Sequence, residues 1–562
     1  MTLQDERLRD DKRRHPHLSG VGVRIFLREL GASLTAPARS WRYVPYDQLQ
    51  AAWLPPPSTG LGLLFLECPA KAMRRPYHRQ KLAMVLSHQR HFALEAAAAG
   101  WAVRYEVVAS YAEGVRAHAD AHGPVEVAEP AEWELREELR PLVEGGALRV
   151  VPHPGWLTTN DDFDGLGGWP WRMDAFYRRV RQRTGILMVD GQPVGGQYSF
   201  DAENRKPWRG EVHPQPPPTF EVDAVTAEVA ETVATRFPQH PGRVRPERLG
   251  ATASDVERQW QHALHQALPW FGPYEDAFST RENTLFHSRI STILNLGRLD
   301  ASRVIADVLR ADLPIASQEG FVRQVLGWRE FVRHVHRRTD GLRAAPQLEA
   351  APGRTDGGWS SAMGETWPSG PSASFARPKG PPGPTLPATF WGHAPSGMRC
   401  LDHVVQAVWD EGYTHHIGRL MILGNLATLL RVDARDLTDW FWCAFTDAFD
   451  WVVEPNVLGM ATYATPAFTT KPYVAGTAYL DRMGDACKTC RLNPKTTCPV
   501  TAWYWAYLAD HAETLGKNPR MAAQVAGALR RPTLAAERAA LAEAQAALAE
   551  GRPVPPMQRT SR

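Results

Sequence analysis

Three of the six cysteines fall close together, as Cys487-Lys-Thr-Cys490, seven residues, then Cys498-Pro. Thiolate is a soft ligand, and a two-residue spacing lets both sulfurs of a Cys-x-x-Cys pair face one metal. Three sulfurs need a fourth ligand, for which Cys400 and Cys443 are the candidates. Tetrahedral sulfur ligation suits zinc or an iron–sulfur cluster, and proline after the last cysteine leans toward the cluster. A second constellation is His415-His416, within YTHHIGRLM. Histidine titrates near neutrality, so such a pair can carry a proton; hydrogen-bonded core histidines on a helix are the plainer reading. The 20 tryptophans suit dense packing or redox and flavin chemistry, and composition does not choose between them.

Composition excludes several classes. The chain has 562 residues, 43% hydrophobic and 22% charged, which predicts two or three globular domains. Lys plus Arg number 64 against 61 for Asp plus Glu, so global charge says little about partners, although a local basic face on nucleic acid is compatible with it. No apolar run approaches the roughly eighteen residues that a membrane span needs. The opening MTLQDERLRDDKRRHPH lacks the apolar core of a secretory signal. Six cysteines in so long a chain make no disulfide framework, and a reducing, cytoplasmic setting is expected.

The elements that must hold these residues read as follows. Residues 1–20 are a polar, disordered arm. Residues 21–152 alternate short apolar runs (VGVRIFL, GLGLLFLEC, VRYEVV, PVEVAEP, LRVVP) with helical stretches at 79–99 and 132–144, which predicts a covered parallel sheet. No G-x-G-x-x-G follows the first strand. Residues 153–225 form a Gly-, Pro- and Trp-rich linker with one helix at 172–184. Residues 226–531 are helical, interrupted by a Pro/Gly/Ser-rich surface insertion at 340–390. An Ala/Glu-rich helix at 533–550 and a loose tail complete a C-terminal segment, 532–562.

Several segments together resemble the iron–sulfur bacterial cryptochromes and photolyases, the prokaryotic (6-4) photolyase group of the photolyase/cryptochrome superfamily. They include YHRQKLAMVLSHQRHFALE (77–95), RMDAFYRRVRQRTGILM (172–188), GGQYSFDAENRKP (195–207), FGPYEDA (271–277), LFHSRISTILNLG (285–297), EGFVRQVLGWREFV (319–332), YTHHIGRLMILGN (413–425) and EPNVLGMATY (454–463). The resemblance spans about residues 60 to 525. It implies an α/β N-terminal Rossmann-like antenna domain joined to an all-α FAD-binding photolyase domain with a [4Fe-4S] cluster.

The same resemblance assigns residues. Cys400, Cys487, Cys490 and Cys498 match the cluster ligands, leaving Cys443 in the core. Tyr274, His287, Ser288, Ile290, Ser291, Gln324, Arg329, Arg419 and Asp447 match the FAD site. His415, His416 and Trp328 match the lesion side, with His416 as the main proton donor. Trp391 and Trp440 match an electron relay. The partner implied is UV-damaged DNA with a flipped pyrimidine dinucleotide, bound by a monomer, with Arg281, Arg289 and Arg333 on phosphates.

Two departures modify the expectation. Where the family has Gly-Asp-Gln-Leu after its first strand, the chain is read as FLRELGASL, and Lys71 stands near a commonly acidic position, which argues for a different or absent lumazine-type antenna. In the segment from Asp447 to Val457, Val453 takes the place of the glutamate near flavin N5 and Glu454 falls one residue along. Two functions follow: light-driven repair of (6-4) pyrimidine–pyrimidone photoproducts, or a cryptochrome-like flavin photoreceptor without repair.

Overall fold

A computed structural model describes residues 22–31, 38–352 and 374–558. The expected arm, residues 1–20, lies outside them. The chain divides into two compact units, one of residues 1–155, 218–259 and 292–300, the other of 156–217, 260–291 and 301–562. Among the described residues, no helix is long and apolar enough to cross a membrane.

The first unit holds five strands: β1 (Ser40–Tyr43), β2 (Leu61–Glu67), β3 (Ala102–Val107), β4 (Val125–Ala128) and β5 (Leu148–Val151). They pair in parallel in the order β3-β2-β1-β4-β5. Every residue of β2 is buried, as a central parallel strand covered on both faces requires. The helix Arg79–Ala98 covers the sheet, started by His78, whose side chain accepts from the Gln80 amide, and followed by Gly100 at φ +99°.

One expectation fails here. VGVRIFL is not the first strand: Arg24–Gly31 is a helix. Its Phe26 is fully buried beside Phe65 and Phe92. Its first amides, Ile25 and Phe26, donate to the Glu228 carboxylate at 2.8 and 3.1 Å. That carboxylate, about 200 residues away in sequence, satisfies donors that a helix start otherwise leaves open. The true first strand is β1, and the loop after it reads Pro45-Tyr46-Asp47-Gln48-Leu49. The Asp-Gln-Leu sequence expected to be missing is therefore present. It leaves β1 where the strand order reverses, and the Gln48 amide there donates to the Ala128 carbonyl at the end of β4, at 3.0 Å. Lys71 pairs with Glu132 at 2.7 Å and donates to the Tyr46 hydroxyl at 2.7 Å.

The second unit is helical. Three of its motifs contain π-helical turns: Arg323–Arg329, Gly418–Gly424 and Pro455–Ala461. A π turn shifts the side-chain register within a helix and occurs often at functional sites. The insertion 340–390 is not loop throughout: residues 348–352 pair antiparallel with 374–378, whereas 353–373 lie outside the described residues. The C-terminal helix is Leu534–Ala549, with Ala544, Ala547 and Leu548 buried. The tail after it is not loose, since Val554 is fully buried and donates to the Ser396 carbonyl at 2.9 Å.

Candidate functional site

Helix Arg399–Glu411 stops at Gly412, whose φ of +64° turns the chain sharply into Tyr413-Thr414-His415-His416. His415 stacks on His287 with centroids 4.4 Å apart and planes 8° from parallel. His416 meets His287 nearly edge-on at 5.1 Å. One nitrogen from each ring lies within 4.8 Å of the others. Stacked imidazoles aim their lone pairs in parallel planes, which suits the edge of an organic ligand better than a shared metal ion.

The three histidines differ in proton chemistry. Burial, with the neighbouring histidines and Arg419 adding to it, depresses His287 well below its ordinary range and His415 to about 3. Both are neutral at pH 7. His416 is 42% exposed in its side chain and faces Asp276, with Nε2 3.7 Å from Oδ1. Burial alone would raise Asp276, but His416 holds it below the usual carboxylate range. Its neighbour Glu275 is raised by burial, partly offset by Arg323.

Most of the expected flavin residues surround this group. Asp447 is buried and held low, against the effect of burial, by Arg419, whose Nη1 donates to it at 2.9 Å. The Ser291 hydroxyl donates to the same carboxylate at 2.6 Å. Arg419 also donates to the Thr414 carbonyl, directly before His415, at 2.7 Å. Tyr274 is buried against Phe286 and accepts from Lys206 at 3.0 Å. Ile290 is buried and Ser288 half-buried. The Gln324 amide donates to Glu275 at 2.8 Å. Arg329 and Trp328 form a different cluster. Arg329 stacks over Trp156 at 4.3 Å and donates to Glu330 at 2.9 Å, and Trp328 packs edge-on to Phe331 at 6.4 Å.

Trp440 is fully buried, and its indole N–H has no hydrogen-bond partner among the described residues. It meets Phe445 at 5.9 Å, and Phe445 lies 4.2 Å under the Arg419 guanidinium. Trp409 meets Trp440 at 6.0 Å and stacks on Trp391 at 5.6 Å. The two tryptophans expected from sequence are thus joined by a third. Trp409 was missed because a single tryptophan on an amphipathic helix carries no signal beyond packing. Asp276 was missed although it lies within the FGPYEDA segment.

The four candidate thiols form one electrostatic group. Burial, then Asp481 and the neighbouring thiols, push Cys487 up to about 12; burial, with Cys490 beside it, pushes Cys498 to about 11; and burial with the other three thiols raises Cys400 strongly. Thiols so placed ionise only beside a cation, which is the chemistry of a metal site. The Arg399 and Leu492 amides donate to the Cys490 sulfur at 3.5 and 3.4 Å. Cys443 is fully buried on helix Ala434–Ala444. The set fits an iron–sulfur cluster. The flavin set also fits: His287 Nε2 and His415 Nδ1 are buried polar atoms with no hydrogen-bond partner among the described residues, flanked by hydroxyls and a fixed Arg–Asp pair.

Of the arginines expected on phosphates, only Arg281 is exposed, at 61%. Arg289 pairs with Glu411 at 2.7 Å and stacks over Tyr413, and Arg333 is buried over Trp156. Arg205 and Lys206, 55% and 53% exposed, stand beside Asp276 and Tyr274 instead.

Residues 42–249 match the family described as deoxyribodipyrimidine photo-lyase-related protein. The chain is 33% identical over 486 residues to the (6-4) photolyase of Agrobacterium fabrum (strain C58 / ATCC 33970), covering 82% of this chain and 89% of that one. The fold is similar to that of a bacterial class III photolyase from Agrobacterium tumefaciens, with a TM-score of 0.51 and 13% identity over 93% of this chain and 95% of that one. With that identity sustained over most of both sequences, the chain belongs to the bacterial cryptochrome/photolyase family that includes the (6-4) photolyase.

Proposed function

We propose that the protein is a DNA photolyase that repairs (6-4) pyrimidine–pyrimidone photoproducts. The observation that carries this reading is the division of labour among the three histidines. Two are buried and neutral, and the third is half-exposed opposite a carboxylate, where it can give a proton to a flipped-out base. FAD, when bound and reduced, supplies light-driven electron transfer. Arg419, Asp447, Ser291 and Tyr274 would hold it, and His287 and His415 would offer it buried ring nitrogens. Arg205, Lys206 and Arg281 contact the DNA backbone. The four cysteines hold a structural [4Fe-4S] cluster, and the Tyr46–Gln48 loop is the place for an antenna chromophore.

The test is illumination of the anaerobic, flavin-reduced protein with DNA carrying one defined (6-4) photoproduct. Light-dependent return of the intact pyrimidines is expected. Bound flavin without repair at any wavelength would leave the photoreceptor instead.

Trp409→Phe is expected to slow photoreduction of the bound flavin, followed by its visible spectrum, as strongly as Trp391→Phe does. Repair by chemically reduced protein should be unchanged. If Trp391→Phe slows photoreduction and Trp409→Phe does not, electrons bypass the bridging ring.

A further inference from the structure

We infer that residues 552–558 form a strap that positions the cysteine site, with Val554 and Met557 acting through the loops that carry Cys400, Cys490 and Cys498. This rests on the reading of those cysteines as metal ligands. Helix Leu534–Ala549 ends at Gly551, and the chain continues as Arg-Pro-Val-Pro-Pro-Met-Gln. Three prolines stiffen this stretch and leave only two backbone N–H groups from Pro553 to Met557. Both are used on the cysteine loops. Val554 donates to the Ser396 carbonyl at 2.9 Å, and Met557 donates to the Thr497 carbonyl at 2.8 Å. Thr497 directly precedes Cys498. Ser396 folds the start of the helix that carries Cys400, its hydroxyl donating to Asp402 at 2.6 Å.

Arg491, next to Cys490, ties the three pieces together. Its Nε donates to the Gly397 carbonyl at 3.0 Å, and its Nη2 donates to the Val554 carbonyl. Gly397, at φ +71°, leaves the space the guanidinium occupies: a Cβ there would lie 2.4 Å from Nη2. The Val554 side chain is fully buried at this junction. Cys487, Cys490 and Cys498 are only half-buried, on turns and a short 3-10 segment, so little regular structure of their own holds them. The strap supplies what those loops lack.

The experiment uses anaerobically purified protein and compares the full chain with a chain stopped after Gly551, and Met557→Pro with Met557→Ala. Proline removes the N–H that reaches Thr497, whereas alanine keeps it. Two rates are read: release of ferrous iron to a chelator, and iodoacetamide alkylation of Cys490 and Cys498, located by mass spectrometry. Met557→Pro should speed both by roughly two- to tenfold, as loss of one hydrogen bond from a local opening predicts. Truncation should speed them further, and Met557→Ala should match the full chain. Flavin absorption should not change. Equal rates in the full chain and Met557→Pro would overturn the strap. A full chain without iron and acid-labile sulfide would instead overturn the cluster reading, and alkylation alone would then decide the strap.

Discussion

His416→Ala is expected to lower light-driven repair of a (6-4) photoproduct by about 10²- to 10⁴-fold, the range lost when a positioned general acid is removed. Flavin content and the rate of flavin photoreduction should stay as they are. A proton donor must be charged at working pH, and His415, depressed to about 3 by burial, is not. His287 is likewise depressed by burial, and the two rings lie face to face, so charging either would place a buried cation against its neighbour. His416 alone has solvent on one side and Asp276 on the other. Asp276→Asn removes that carboxylate and should also slow repair, less severely, because the ring remains in place. His415→Ala should weaken flavin binding as well as repair. Single-turnover repair after chemical reduction separates these effects, since it removes the electron relay from the measurement. If His416→Ala repairs within about threefold of the parent, the proton comes from elsewhere.

Short-range signals in the sequence were legible, and those that depend on a distant partner were not. The Cys-x-x-Cys spacing and the His-His pair are local patterns, and helix 172–184 declares itself by its own period and by Gly185 at its end. The Arg24–Gly31 helix failed as a strand because its capping carboxylate, Glu228, is remote. That error hid the real first strand, and with it the Asp47-Gln48-Leu49 turn. A one-segment shift thus became an argument against an antenna. Arg333 and Arg289 read as phosphate contacts because sequence does not distinguish an exposed arginine from one stacked on Trp156 or paired with Glu411. The tail read as loose because proline-rich ends usually are. The N–H groups of Val554 and Met557 find acceptors far back in the chain.

Arg435→Met should carry a large stability penalty, about 3–5 kcal/mol, because it strands buried carboxylates. Arg435 is 3% exposed in its side chain. It donates to Glu454 at 2.6 Å and to Asp439 at 2.9 Å, and His336 lies 3.1 Å from the other Glu454 oxygen. Burial alone would raise Glu454; Arg435 and His336 instead pull it down to about 2 from 4.5. A carboxylate depressed in the folded state stabilises above its unfolded pKa, and that contribution fades as pH falls from about 4.5 to about 2. Denaturant unfolding of the parent and Arg435→Met should therefore differ most near pH 7, with the gap closing on acidification. Replacing both Arg435 and Glu454 by Met should cost less than the Arg435 change alone, since fewer charges are stranded. The consequence reaches the flavin side. Glu454 follows Val453, the residue in the place of the N5-facing glutamate, and Arg435 fixes the register of that segment through Glu454. The register is then maintained by a buried ion pair that does not involve Val453, and Val453→Glu should place a carboxylate at that position without breaking it. A gap that is constant from pH 7 to pH 3 would mean that Glu454 ionises normally and that packing, not charge, holds the segment.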